Sequence, residues 1–357
     1  MTKKILLVDD SALMRRVACD IIATDSRFEV EDTARNGVDA LELLRKKTYD
    51  IVVLDVNMPR MDGLQLLREL QKEKIRASVL MFSTTTAEGT RETIEALELG
   101  ALDFIQKPGN VIDAGEDHFR ENFLRLLNVV ARSSIFRMGR VTQTGSSRPQ
   151  SADTKPVLRQ SVTITGNKVV AIASSTGGPK ALQQVVPKLP KNLNAPVLLV
   201  QHMPAGFTKS LAERLDSLSP VHVKEAEDGD RLEKGCVYVA AGGRHMKVAR
   251  SGSQYRIYYT DEPTREGVRP CANYMYESLI DSGFNEISCV VLTGMGADGT
   301  EGIRHLEEKK KVHIVAQNEE TCAVYGMPKS IAATGLVNEV LPIEQIADAI
   351  VRNVGVM

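Results

Sequence analysis

Short, wholly apolar runs alternate with amphipathic stretches through the first third of the chain. KKILLVDD reads as a buried strand, and SALMRRVACDIIATD as a helix with Ser11 at its N-cap. FEVEDTARNG predicts a second strand, GVDALELLRKK a helix, and YDIVVLDVNMP a strand that ends at Asp55. The rhythm continues through LQLLRELQKEK, ASVLMFS, TRETIEALELG and ALDFIQKP to a last helix near 117–131. Strands that are apolar on both faces and alternate with helices predict a parallel sheet covered on both sides. Ligands of such sheets bind at the carboxyl ends of the strands, where Asp9, Asp10 and Asp55 stand.

The pattern stops from about Arg132 to Thr165, where RVTQTGSSRPQSADTKP holds few large apolar residues. Such a segment cannot bury enough surface to offset its ordering entropy. Val129, Val130, Ile135 and Phe136 just before it are expected to form a helix at an interdomain surface. Three further strand-to-turn units follow, in NKVVAIASSTGGPK, APVLLVQHMP and EISCVVLTGMGADGT. The expected fold is therefore α/β throughout. A doubly wound (βα)5 domain covers 1–125, a linker 126–165, and a second parallel-sheet α/β domain 166–357.

Bulk properties narrow the classes. At 357 residues the chain is long enough for two cores. A net charge of −1 points to neither nucleic acid nor a membrane surface. No stretch approaches the ~20 apolar residues of a membrane span. The apolar run Ile5 to Val8 is too short for the core of a signal peptide. Five cysteines without a C-x-x-C pair argue against a disulfide framework and a zinc site, and fit a cytoplasmic protein. Six histidines without H-x-x-H or H-E-x-x-H disfavour a metal-dependent hydrolase.

Asp9, Asp10 and Asp55 at one sheet edge repel each other unless a hard divalent cation is shared among them, and Mg²⁺ prefers oxygen ligands. A metal-bound carboxylate beside a lysine accepts a phosphoryl group, because both cations neutralise the transferring oxygens. Ser83 ends the fourth strand and Lys107-Pro108 follows the fifth, adding a hydroxyl and an ammonium to that edge. Any one acid reads equally well as a solubilising or capping group. The ordered set D-D, D-x-x-x-P, S/T and K-P within a five-fold βα pattern favours the phosphoryl acceptor. This arrangement resembles the receiver domain of two-component response regulators. The resemblance implies Asp55 as phospho-acceptor, with Mg²⁺ held by Asp9, Asp10, Asp55 and the backbone carbonyl of Asn57. It also implies Lys107 as phosphate partner and Ser83 with Phe104 as a switch pair.

In the second domain Ser174-Ser175-Thr176-Gly177-Gly178 forms a turn, and Pro179 suits the first helical position. The passage resembles a nucleophile elbow with Ala173 in place of its first glycine. Alone it reads as well as a phosphate-binding or simply tight turn. His202 ends the second strand. Asp298 lies in the glycine-bearing turn after the third, where it also suits a helix N-cap. Serine, histidine and aspartate at three strand ends together suggest a triad. The imidazole takes the serine's proton, and the carboxylate holds the imidazole in one tautomer and stabilises its charged form. The order Ser…His…Asp differs from the Ser…Asp…His of α/β-hydrolases. His118, His222, His305 and His313 read as surface or packing residues, and His245 as a loop residue with a smaller claim on substrate.

The blocks ASSTGGPKAL, LLVQHMPAGFTKSLAERL, VYVAAGGRHM, VVLTGMGADGTEG and AQNEETCAVYGMPKSIAATGLVNEVLP resemble the catalytic domain of the chemotaxis protein-glutamate methylesterases, the CheB family. The resemblance implies Ser175 as nucleophile, His202 as general base, Asp298 as orienting acid, Thr176 as a positioner of the histidine and the Met295 N–H in the oxyanion hole. It implies hydrolysis of glutamate γ-methyl esters on chemoreceptors, releasing methanol, together with deamidation of receptor glutamines and no cofactor for hydrolysis. Its expected partners are the receptors and a chemotaxis histidine kinase as phosphodonor, with no nucleic acid and membrane contact only through receptors. The unphosphorylated receiver is expected to cover the catalytic cleft. Two departures stand out. Arg269-Pro270-Cys271-Ala272-Asn273-Tyr274-Met275-Tyr276 replaces a segment like RPSVDVLF and is expected to border the substrate cleft. Asn57 replaces a glutamate two residues from Asp55 and is expected to alter phosphorylation lifetime. The rival reading is a receiver joined to a non-catalytic adaptor; no helix-turn-helix supports a transcription factor.

Overall fold

The computed structural model describes residues 2–84, 86–108, 117–133, 167–252 and 254–357. In the first domain β1 (Lys3–Val8), β2 (Phe28–Ala34), β3 (Ile51–Asp55), β4 (Val79–Ser83) and β5 (Asp103–Gln106) form a parallel sheet in the order β2-β1-β3-β4-β5. Ile5 to Val8 and Ile51 to Leu54 have no exposed surface, which is why these runs carry no polar alternation. Between the strands lie α1 (Ala12–Ile22), α2 (Gly37–Lys46), α3 (Gly63–Lys72) and α4 (Ala87–Glu98). The Ser11 hydroxyl caps α1 by accepting the Met14 N–H, and Asp62 with Gln65 forms a capping box on α3.

The helix α5 (Asp117–Arg132) runs past the boundary expected at 125. Phe123, Leu126, Leu127 and Val130 are buried in one cluster with Leu80, Phe82 and Ile105. The apolar face of the helix thus covers this domain's own sheet, and Val130 packs there instead of at an interdomain surface. Ile135 and Phe136 lie outside the described residues.

In the second domain β6 (Lys168–Ser174), β7 (Val197–Gln201), β8 (His222–Glu225), β9 (Cys236–Val239), β12 (Glu286–Val291), β13 (Lys311–Gln317) and β14 (Glu339–Leu341) form a parallel sheet. Its order is β14-β13-β12-β6-β7-β9-β8. An antiparallel hairpin of β10 (His245–Ser251) and β11 (Gln254–Thr260) stands apart from it. The helices are α6 (Gly178–Val185), α7 (Phe207–Leu218), α8 (Ala272–Ser278), α9 (Thr300–Glu307), α10 (Met327–Ala332) and α11 (Ile343–Val354). The chain leaves β6 toward β7 on one side and later returns to it as β12 on the other. That reversal opens a crevice at the carboxyl ends of the central strands.

The two domains share a core. One continuous buried cluster holds Ile94, Ala101 and Phe104 from the first domain and Met203, Phe207 and Leu211 from the second. The Phe104 and Phe207 rings lie 4.3 Å apart. Around this contact the Thr90 and Ser210 hydroxyls bond at 2.9 Å. Glu98 takes two hydrogen bonds from Arg214, at 2.6 and 2.9 Å, and one from Gln183 at 2.8 Å.

The extent of α5 makes a prediction. A fragment ending at 125 loses the buried side chains of Leu126, Leu127, Val129 and Val130, each contributing about 1.5–3 kcal/mol. It should unfold in urea with a stability at least ~3 kcal/mol below that of a fragment ending at 133; equal midpoints would return the boundary to 125.

Candidate active site

Ser175 sits where β6 gives way to α6. Its N–H donates to Thr293 O at 3.0 Å, which ties the turn to the end of β12. Gly177 closes the turn with φ of 76°, a left-handed conformation that glycine adopts without a Cβ clash. A Cβ at Gly178 would lie 2.0 Å from Gln201 Oε1, so the helix can start this close to β7 only with glycine. Gln201 is buried and fastens the two turns together. Its Oε1 accepts from Ser174 Oγ at 2.7 Å, and its Nε2 donates to the carbonyls of Ser175 (3.0 Å) and His202 (3.2 Å). Nothing local in the sequence distinguishes Gln201 from any glutamine at a strand end.

His202 follows β7, and its N–H bonds Ser174 O at 3.1 Å. Its Nε2 lies 2.7 Å from Asp298 Oδ2, which leaves Nδ1 as the second ring nitrogen. Asp298 is not the cap of α9; Gly299 takes that position. Its carboxylate instead accepts the N–H groups of Ala272 (2.6 Å, on Oδ2) and Asn273 (3.0 Å, on Oδ1) and the Cys271 thiol (3.0 Å, on Oδ1). Burial pushes the Asp298 carboxyl up, but the hydrogen bonds from His202, Cys271 and Ala272 outweigh it and hold the group below the usual carboxylate range.

The segment 269–276 also supports the triad carboxylate from behind. Cys271, Ala272 and Asn273 have no exposed surface and stand behind Asp298. The Cys271 N–H in turn donates to His245 Nδ1 at 3.2 Å. His245 is fully buried, and burial keeps its imidazole below its ordinary pKa. His222, His305 and His313 pair with Asp216, Glu277 and Glu339 away from this site. The side chain of His118 lies outside the described residues.

Thr176 does not meet His202. Its hydroxyl donates at 2.5 Å to Oδ2 of Asp103, the first residue of β5 in the other domain. Burial raises the Asp103 pKa, and the Thr176 hydrogen bond opposes that rise. Beside this bond Gly177 N–H donates to Leu102 O at 3.2 Å. The His202 side chain is left 9% exposed. Among the described residues neither Ser175 Oγ nor the Met295 N–H makes a hydrogen bond. The Met295 side chain is exposed at the rim.

At the carboxyl edge of the first sheet Asp9, Asp10 and Asp55 bring oxygens within 4.8 Å of one another. Lys107 Nζ lies 2.8 Å from both Asp9 Oδ2 and Asp55 Oδ2. The Asp9 contact is an ion pair without hydrogen-bond geometry, so that buried oxygen lacks a directed donor. Burial pushes the Asp55 carboxyl up to about 6, with Lys107 opposing and Asp9 and Asp10 adding to the rise. An all-oxygen donor set with excess negative charge and an under-satisfied buried oxygen fits a hard divalent cation such as Mg²⁺. Ser83 does not present its hydroxyl to this edge. Ser83 Oγ bonds Thr93 Oγ1 at 2.5 Å and Gly89 O at 3.3 Å on α4. The Asn57 amide reaches Glu92 at 3.1 Å and is exposed.

Residues 170–350 match the family described as CheB methylesterase, and residues 5–114 match the response regulator receiver domain. A protein named protein-glutamate methylesterase/protein-glutamine glutaminase from Halalkalibacterium halodurans is 42% identical over 98% of this chain and 97% of its own length. One of the same name from Bacillus subtilis is 41% identical over 97% of each. The crystal structure of the Thermotoga maritima CheB methylesterase catalytic domain, 40% identical, superposes with a TM-score of 0.51 over 53% of this chain and 99% of that one. The chain belongs to the CheB methylesterase family, with a response regulator receiver domain ahead of the methylesterase domain.

Proposed function

We propose that this protein removes γ-methyl esters from chemoreceptor glutamates, deamidates receptor glutamines, and is switched on when a chemotaxis histidine kinase phosphorylates Asp55. The observation that carries the chemistry is the convergence of the Ser175, His202 and Asp298 turns at the switch point of the second sheet. Ser175 Oγ attacks the ester carbonyl while His202 Nδ1, left over by the Nε2–Asp298 bond, takes its proton. Asp298 stabilises the imidazolium that forms. The Met295 N–H receives the developing oxyanion, a contribution of about 3 kcal/mol for one such donor. Methanol, or ammonia from glutamine, leaves with the proton that His202 holds. Water then hydrolyses the acyl-enzyme by the same steps in reverse. No step calls for a cofactor.

Control rests on Thr176–Asp103 and Gly177–Leu102, hydrogen bonds by which the receiver grips both residues after Ser175. Docked in this way, the receiver narrows access to His202 and occupies the hydroxyl of Thr176. Asp9 and Asp10, with Asp55 and the Asn57 carbonyl, would hold Mg²⁺, whose charge neutralises the phosphoryl oxygens when it is bound. A phosphate on Asp55 draws Lys107 and offers Ser83 a stronger acceptor than Thr93. Ser83 then releases α4, and α4 with β5 forms the docked face. Phe104, stacked on Phe207, carries the change across the interface.

Methanol release from methylated chemoreceptor membranes tests the whole reading. Acetyl phosphate with Mg²⁺ should stimulate release, and Ser175→Ala should lower it by at least about 10³-fold; release that survives the substitution sinks the triad. Asp55→Asn should abolish the stimulation and leave the basal rate in place. Glu98→Lys sets a like charge against the half-exposed Arg214, and a loss of about 1 kcal/mol of docking should raise basal release roughly fivefold without phosphodonor. Removal of residues 1–160 should raise it further, and a truncated enzyme no faster than the full chain would refute control by docking.

A further inference from the structure

Among the described residues Asp298 is held by donors on both carboxylate oxygens, and one of them is a side chain outside the triad. Oδ2 carries His202 Nε2 and the Ala272 N–H, while Oδ1 carries the Asn273 N–H and the Cys271 thiol. A terminal carboxylate torsion is soft and nearly two-fold. Without the Cys271 thiol, Oδ1 would keep only the Asn273 N–H of these donors, and the plane facing the imidazole would be held on that side by a single hydrogen bond. The Cys271 thiol is itself aimed by a contact on its other side, since its backbone N–H is anchored on the buried His245. The residues form a chain, His245 to Cys271 to Asp298 to His202, in which each fixes the next.

We propose that Cys271 is a positioning residue for hydrolysis: its thiol, donating to Asp298 Oδ1, sets the plane and the charge of the carboxylate that Oδ2 presents to His202. This inference rests on the triad reading above. Burial and the neighbouring Asp298 push the Cys271 thiol up, so it stays protonated and can donate. A thiol is a weak donor. It orients the carboxylate while withdrawing less of its charge than a hydroxyl would, so the full negative potential remains available to the imidazolium.

Substitutions at Cys271 separate this role from simple core filling. They are assayed in the phosphodonor-activated full-length protein by methanol release from methylated receptor membranes. Cys271→Ala removes the donor. It should lower kcat on the order of 5- to 10-fold with KM unchanged, because Cys271 touches no substrate. A carboxylate freed of one donor stabilises the imidazolium more, so the acid limb of kcat/KM should move to higher pH. Cys271→Ser restores a donor, and a stronger one; it should recover most of kcat and move the acid limb below that of the wild type. Asp103, a carboxylate that senses the His202 charge, is unchanged in every variant. Two results overturn the proposal: serine and alanine variants that lose kcat alike with an unmoved acid limb, or an alanine variant as fast as the wild type. If Cys271→Ala does not fold, the Cys271→Ser profile decides alone, a downward limb supporting the role and an unmoved limb refuting it. Ser175→Ala distinguishes the two claims. Its loss of hydrolysis beside an unaffected Cys271→Ala overturns the positioning role only, whereas hydrolysis that survives in Ser175→Ala overturns the triad and this role with it.

Discussion

Parallel pairing of β6 with β7 on one side and β12 on the other is the constraint on which the rest of the catalytic domain depends. The pairing sets Ser174 beside Gln201 and Ala173 beside Val291. Three turns far apart in sequence therefore leave the sheet at one height. Strands buried on both faces have no polar stripe to spend, so polar chemistry collects where they end. The close approach of those turns in turn demands Gly177 and Gly178, and it makes the Gln201 amide a fastening between two of them. The first domain follows the same rule, with Asp9 after β1 and Asp55 closing β3 at adjacent strand ends.

Asp298, Asp103 and Asp55 show how local donors decide what burial does to an acid. Asp298 accepts four hydrogen bonds, and its carboxyl falls below the ordinary range in spite of burial. Among the described residues Asp103 receives the Thr176 hydroxyl and one N–H, and desolvation prevails. Asp55 has Lys107 on one side and two carboxylates on the other, and it too rises. The first is built to remain charged beside an imidazole. The other two are left short of donors, one where a phosphoryl group would be received and one at the interface between the domains.

That interface mixes two kinds of contact. The Phe104–Phe207 stack and the shared apolar cluster hold the domains together without direction. The hydrogen bonds at Thr90, Glu98 and Asp103 fix the register. An interface whose directional part lies on α4 and β5 is sensitive to small shifts of those elements, and Ser83, bonded to Thr93 on α4, ties them to the edge that Lys107 shares with Asp55.

The sequence by itself determined the two α/β domains, the strand ends and the chemical groups placed on them. Period-two and unbroken apolar runs, glycine turns and N-cap residues such as Ser11 are local signals, and a strand end can be read without knowing its neighbours. The residues Asp55, Lys107, Ser175, His202 and Asp298 were legible for that reason. Tertiary structure alone decided what those groups touch. Thr176 meets Asp103 across 73 positions of sequence, and Cys271 and Gln201 acquire their roles through partners 27 and 26 positions away. It also decided that Ser83 faces α4 and that the helix expected near 117–131 covers the sheet of its own domain. A hydrogen bond between distant residues leaves no periodic trace in either segment, so only the folded chain shows which donor each buried carboxylate receives.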